Sequence, residues 1–526
     1  MTRLKFTKHC ALAIATYSLA LAANAADPIL CVPPPLPGDV GDVVALVSCI
    51  NTANIEGGGT IDLGGLTYTL TTTDNTTDGD NGLPDITSII TLKNGTITKD
   101  PTLPFRHLHI SPPGTLNLKG VTLTNGYASG NGGGSIFVAV GAILGTVEDS
   151  VFSENQANLT LGVNSLGGAI CVQGEFFAIK NTLFSNNQAI NLTSAALFIA
   201  GGAIYMGTQG PAKGGTISET IFVSNFATAS ITNFPVGGAI SLDTGASMGA
   251  VVRSSFISNG TTTVGNLGVA TIGEGGAIYI VPGAEITVLD SNSFSFNFSG
   301  DGGAILSTGT IGTLSNSTFN NNISVVAGAV LVDGNLATVY NCTFTANVAS
   351  FSGGAFYIGN DATIGQFFNN TVAVNFASTF ESPFNGAGGG IFNCGTIGDM
   401  VSNIVAANYN TFTTPPTEDD VANTDCPGTI NAASFNLIGS NANNSLVNGV
   451  DSNIVGTANA PINPNLDVLR DNGGPTFTMA PLSNSPAIGA GANPLGLRHD
   501  QRGEGFARSV HAQTDIGAVE VQRSPR

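Results

Sequence analysis

The chain has no tryptophan, and charged residues fill only 10% of its 526 positions. Positive charge is scarcest: 16 Lys and Arg stand against 35 Asp and Glu, a net charge of −19. Between Tyr127 and Asn410 the only cations are Lys180, Lys213 and Arg253, and no histidine falls there. Such a surface suits neither nucleic acid nor anionic lipid as a partner. It also lacks the basic groups with which a lyase takes a proton next to a carboxylate and neutralises an acidic polysaccharide. No apolar face recurs at helical spacing between 132 and 410, which excludes a helical repeat array. After residue 25 no apolar run is long enough to cross a bilayer as a helix.

Glycine is abundant instead, 69 residues, and much of it recurs in one phrase. Gly-Gly-Ala-Ile occupies 167–170, 201–204, 237–240, 275–278 and 302–305, with weaker copies at Ala327–Val330, Gly353–Phe356 and Gly388–Ile391. A second phrase, Phe-x-x-Asn, alternates with it: Phe152/Asn155, Phe184/Asn187, Phe222/Asn225, Phe256/Asn259, Phe294/Asn297, Phe319/Asn322 and Phe344/Asn347. Val372/Asn375 and Val405/Asn408 extend the series. The mean period is roughly 32 residues, the mark of a solenoid, propeller or array. The intervening segments are short, β-branched and bounded by Gly and Asn turns, so they read as strands. Propeller blades usually need about 40 residues or more. The remaining architecture is a parallel β-helix with one coil per repeat.

Coils stack about 4.8 Å apart, so each Phe is expected to lie on the next Phe inside the rod. Each Asn is expected to sit in a tight turn at positive φ and to bond a neighbouring coil. Copies differ in length, and insertions are expected to loop out on one face. The alternation of Gly-Gly-Ala-Ile with Phe-x-x-Asn resembles the repeats of the chlamydial polymorphic outer-membrane proteins and of related bacterial β-helix surface proteins. That resemblance implies an all-β, single-stranded, right-handed parallel β-helix of pectin-lyase type.

The ends carry other signals. Arg3, Lys5 and Lys8, then apolar Ala11 to Ala23, then Ala23-Asn24-Ala25 read as a signal peptide over 1–25. Its removal takes the net charge from −19 to −22. Export permits disulfides; Cys31–Cys49 and Cys394–Cys426 are the local candidate pairs, while Cys171 and Cys342 read as buried thiols. Asp39 to Asn54 carries Val40, Val43, Val44, Val47 and Ile50 at helical spacing, with Asp39 as cap, and is expected to cover the open end of the coil. The N-terminal cap and first coils thus fill 39–131. Asp74, Asp78, Asp80 and Asp85 are candidate calcium ligands, weighed against a solvated loop. His107 and His109 alternate on one strand and are a two-residue metal candidate.

Beyond the repeats, 411–463 reads as degenerate coils and loops. Glu418, Asp419 and Asp420 read there as a solvated face. Over 464–526 the ordered phrases Asp471-Asn472-Gly473-Gly474-Pro475, Ser485-Pro486-Ala487-Ile488-Gly489, Asp500-Gln501-Arg502-Gly503 and Asp515-Ile516-Gly517-Ala518 resemble the choice-of-anchor-Q module of bacterial surface β-helix proteins. Arg498, His499, Asp500, Arg502, His511 and Asp515 form the one dense polar cluster, read as Arg–carboxylate ties. Asp290 and Asp301 stand without a partner in the sequence, and no catalytic residue or cofactor is assigned. The resemblances imply an exported, extracellular or cell-surface binding scaffold of adhesion type. Its expected partner is an extracellular glycan or a host or cell-surface protein. The competing readings are a polysaccharide lyase or glycoside hydrolase, and a structural matrix component.

Overall fold

The computed structural model describes residues 30–522, apart from 37–39, 129–130, 159–163, 194–197, 208–210, 231–232, 266–267, 271–272, 379–387, 413, 424–425, 427 and 511–512. The signal-peptide segment and Asp39 lie outside the described residues. The chain is an all-β parallel β-helix with one α-helix near its N-terminus. A typical coil runs through strands Ile170–Val172, Glu175–Lys180, Leu183–Ser185 and Gln188–Asn191. Each pairs in parallel with its counterpart in the next coil. The Gly-Gly segments alone build an 11-stranded sheet from Leu108–Ile110 to Val421–Ala422. Among the described residues no helix is long and apolar enough to cross a membrane.

Register places identical positions on top of one another. Phe152, Phe184, Phe222, Phe256, Phe294, Phe319 and Phe344 are fully buried. Their ring centroids lie 4.5 to 4.9 Å apart and nearly parallel. Val372, Val405 and Ile438 continue the column in register, and Leu123 precedes it. Burying a ring contributes about 1.5–3 kcal/mol, and offset stacking adds about 0.5–1.5 kcal/mol.

The asparagines form a continuous ladder beside this column. Asn187 shows the pattern. Its Oδ1 accepts from the backbone N and Nδ2 of Asn155, at 3.1 and 2.9 Å. Its own Nδ2 donates to Asn225 Oδ1 and to Phe152 O, both at 2.9 Å. The same exchange continues through Asn259, Asn297, Asn322, Asn347 and Asn375 to Asn408. These amides are 0% exposed, so the pairing removes what would otherwise be a large desolvation cost. The strained backbone is not theirs, as the sequence suggested. The residue before each one takes positive φ: Glu154, Asn186, Ser224, Ser258, Phe296, Asn321, Ala346, Val374 and Ala407. The kink precedes each inward-facing amide, at a position whose residue type varies from coil to coil.

A second ladder runs along the other corner, with mixed chemistry. Backbone N–H groups donate from Thr220 to Ser254 Oγ, from Ser254 to Asn292, from Asn292 to Ser317 Oγ, and from Ser317 to Cys342 Sγ. Cys342, Asn370, Asn403 and Asn436 then donate in turn as far as Asn453. The buried Cys342 thiol is therefore a rung. The Gly-Gly turn is fixed by space: Gly167 has φ 61°, and a Cβ on Gly168 would strike Gly202 O of the next coil. The weaker copy keeps Gly328 at the crowded second position and lets Ala327 adopt φ 59°.

At the N-terminal end the helix α1, Val43–Glu56, buries Leu46, Cys49, Ile50 and Ala53. Its cap is Asp42, whose side chain accepts from Val44 N and Ala45 N. The expected apolar face is thus rotated: Val44 is 79% exposed. Cys31–Cys49 ties the helix to the strand Leu30–Cys31, and that bond selects the buried face. Replacing Phe256 by Ala opens a cavity in the middle of the stack and is expected to cost about 3–5 kcal/mol. Phe177→Ala, on a ring that is 53% exposed, is expected to stay within about 0.5 kcal/mol. Denaturant unfolding of the two variants checks the difference.

Candidate functional site

The coils differ in length chiefly at one place. The step from the ladder Asn to the next Gly turn takes 12 positions at Asn155, 14 at Asn187 and 16 at Asn259. It takes five at Asn297 and Asn322, six at Asn347, and 13 again at Asn375. The long steps add strands on the outside, such as Ile199–Ala200, and the antiparallel pair Gly260–Gly265 with Gly268–Ala270. Three successive coils lack this material. These three shortened coils form a lateral notch, and Ile323 and Val325 are exposed on it.

The notch brings together acids that are scattered in the chain. Glu274 and Asp301 are bridge partners on consecutive coils. Facing them is the outward row Ser241, Tyr279, Leu306, Leu331, Tyr357, each in register with the next. The Tyr279 hydroxyl bonds Glu274; burial and then the Glu274 charge push its pKa up. Asp243, just past the strand Ile240–Leu242, accepts from Tyr205 Oη at 2.6 Å. Asp301 is half-buried, and burial, then Glu274 and Asp333, push its pKa up to about 6. Asp333 is raised by partial burial and then by Asp361. The sequence could show none of this, because Glu274, Asp301 and Asp333 converge only through the stacking.

The other candidates have structural partners. Asp85 and Asp78 both bond the buried His109, at Nδ1 (2.7 Å) and Nε2 (3.1 Å). Asp85 also accepts from Ser111 Oγ. Asp74 receives Asn75 Nδ2, and Asp80 contributes a backbone carbonyl to Arg106 N. His107 is held apart from His109, with Ser135 Oγ and Thr124 O on its two nitrogens. Burial above all lowers the His107 pKa to about 3, so the ring is neutral. Among the described residues no group of three or more His, Cys, Asp or Glu converges as a metal site. Cys394 and Cys426 are bonded, and Cys171 is a buried thiol. Asp290 accepts from Ser291, Ser315 and Asn316.

Glu418, Asp419 and Asp420 are not a solvated face. Asp420 is fully buried and ends the asparagine ladder: its Oδ1 accepts from Asn408 N and Nδ2, and its Oδ2 from Ser440 N. Asp419 bonds Gly388 N and Asn443 Nδ2, and Glu418 accepts from Ala407 N. Unmet backbone donors at the end of the ladder draw these acids inward. The C-terminal segment lies along the flank of the rod. Gln501 donates to Thr318 Oγ1 and accepts from Thr343 Oγ1, while Ala518 N bonds Thr371 Oγ1. Within it Arg502 pairs with Asp500 at 2.6 Å, and Asp515 accepts from Gly489 N and Val521 N. Arg498 and His499 are exposed, and His511 lies outside the described residues. Buried Arg508, bonded to Asp515 O, is a tie that the sequence cluster did not include.

No protein-family model, curated protein or solved structure matches this chain.

Burial, and then the Glu418 charge, raise the Asp420 pKa well above its ordinary value. A carboxyl with a raised folded pKa stabilises fully below its unfolded value of about 4, and that contribution is lost as pH rises through the folded value. The unfolding midpoint is expected to fall as pH rises from 5 to 8. Glu418→Gln, by removing the repelling partner, is expected to reduce that fall, and thermal melts across the range check it.

Proposed function

We propose that this chain is an exported binding scaffold, held at or near a cell surface, that presents a lateral ligand-binding notch on a stiff rod. The single observation behind this reading is the notch: three successive short coils beside which Glu274, Asp301 and Asp333 gather. Stacked rings and amide ladders on the inside leave the outside free to vary, which is how solenoids carry binding surfaces. The resemblance of the repeats to polymorphic outer-membrane proteins, and of the last segment to the choice-of-anchor-Q module, supports a surface role. The partner is an extracellular glycan or a surface protein.

One observation favours a second reading. Asp301, with its pKa pushed up to about 6 beside Glu274, has the character of a proton-donating carboxyl, as a glycoside hydrolase requires. Incubation of the full chain with a glycan panel, read for reducing-end release and for retained ligand, separates the two. Retention without turnover is expected. Turnover lost in Asp301→Asn would overturn the scaffold reading.

A further inference from the structure

The strands just past the ladder corner carry one outward row that changes character along the rod. In register it reads Tyr127, Gln156, Gln188, Phe226 and Gly260. It continues as Phe298, Ile323, Val348, Phe376 and Tyr409. Apart from Gly260, every side chain in the row other than the two glutamines is aromatic or aliphatic. At the glutamines the surface opens into a cavity of about 250 Å³, walled by Pro101, Asn125, Tyr127, Glu154 and Asn186. All of these side chains, and both glutamines, are exposed or half-buried.

The fold makes little use of the polar groups there. Among the described residues neither Gln156 nor Gln188 makes a side-chain hydrogen bond. Glu154 accepts from Asn186 Nδ2 at 2.9 Å through one oxygen, and Asn125 Nδ2 reaches Thr98 Oγ1 at 3.3 Å. That leaves Glu154 Oε2 and Asn125 Oδ1 without partners among the described residues. No cation lines the cavity. Lys99, whose ammonium lies 5.8 Å from the Tyr127 ring centre, is buried and donates to Asp100 O.

Unused amides beside an aromatic ring match one ligand chemistry. A pyranose has an apolar C–H face and a rim of hydroxyls that both donate and accept. The tyrosine ring suits the face, and each amide offers an acceptor and two donors to adjacent hydroxyls. A purely apolar ligand would cover the amides without pairing them. A uronate would meet the Glu154 carboxylate with no cation to offset it. The cavity is smaller than the roughly 300–1,000 Å³ of clefts for drug-sized ligands, and suits one sugar ring. Further rings can follow the row to Phe226, against which Phe298 packs at 5.9 Å across Gly260. From Tyr127 to Phe226 is three coil steps, roughly 14 Å. We propose that this cavity binds a neutral oligosaccharide, with Gln156 and Gln188 reading its hydroxyls and Tyr127 stacking on a ring. The site is separate from the notch and goes beyond the function proposed above; each stands without the other.

The chain has no tryptophan to report on a stacked sugar, so the test is calorimetric titration of the full chain. Cellohexaose, mannohexaose and N-acetylchitohexaose are the neutral probes, hexagalacturonate the anionic one and deacetylated chitosan hexamer the cationic one. Saturable one-to-one binding of at least one neutral probe is expected, at least tenfold tighter than either charged hexamer. Gln156→Ala with Gln188→Ala is expected to weaken it at least tenfold at an unchanged melting temperature, since both side chains face solvent. Val348→Ala, on the same row, and Asp301→Asn, in the notch, are expected to change it less than twofold. Absence of saturable binding by every neutral probe would overturn the proposal, as would tighter binding of a charged hexamer. An equal loss in Val348→Ala and the double variant would reduce the effect to adhesion along the row and overturn it too. Binding lost in Asp301→Asn but kept in the double variant would move the glycan to the notch: this site then falls while the scaffold reading stands.

Discussion

The rod depends on one hydrogen-bonding constraint. Where the chain turns at each corner it buries a backbone N–H under the next coil, and no water can reach it. Asn meets the need because one side chain accepts from the coil before and donates to the coil after, so each rung completes its neighbour. Nine rungs from Asn155 to Asn408 work this way. The exchange holds successive coils in one register, and that register places phenylalanine upon phenylalanine. The aromatic column thus follows from the amide ladder as much as from hydrophobic burial. At the second corner a hydroxyl or a thiol suffices, and Ser, Thr, Cys and Asn interchange there.

A rod locked at its corners can vary between them. All the large differences in length fall between the ladder Asn and the Gly turn, the segment that crosses the outer face. Adding residues there raises a flank, and removing them opens a notch. The notch at Asn297 to Gly353 is therefore made by deletion, which leaves the interior columns unbroken across it. Acids on its rim replace Leu166, Ala200 and Val236 of earlier coils, which are buried at equivalent positions. In the two coils after Asp301 the same position carries Val326 and Ser352.

The sequence carried the architecture openly, because strict stacking repeats Phe, Asn and Gly at the positions that need them. It carried the end cap less well. Helical spacing allowed two faces, and the bond from Cys49 to Cys31 selected the one without Val44. It misplaced the strain, since positive φ falls on the variable residue before each Asn and leaves no compositional trace. Glu418, Asp419 and Asp420 looked like a surface run because their burial depends on unmet donors of a ladder that ends beside them. The candidate site was invisible for a related reason: Glu274, Asp301 and Asp333 are separated by whole coils, and only the register joins them. Among the acids and histidines near the start of the coil, His109 and Asp85 satisfy one another, a closure that spacing alone does not reveal.

Register is the claim on which both the ladder and the notch stand. Ser247 and Glu285 are exposed and directly paired across two coils, close enough for a disulfide if both become cysteine. The doubly substituted chain Ser247→Cys with Glu285→Cys, oxidised under mild conditions and mapped by mass spectrometry, is predicted to form that bridge nearly completely. The offset pair Ser247→Cys with Thr287→Cys is predicted to stay reduced. Bridging in the offset pair and none in the aligned pair would contradict the stacking described above.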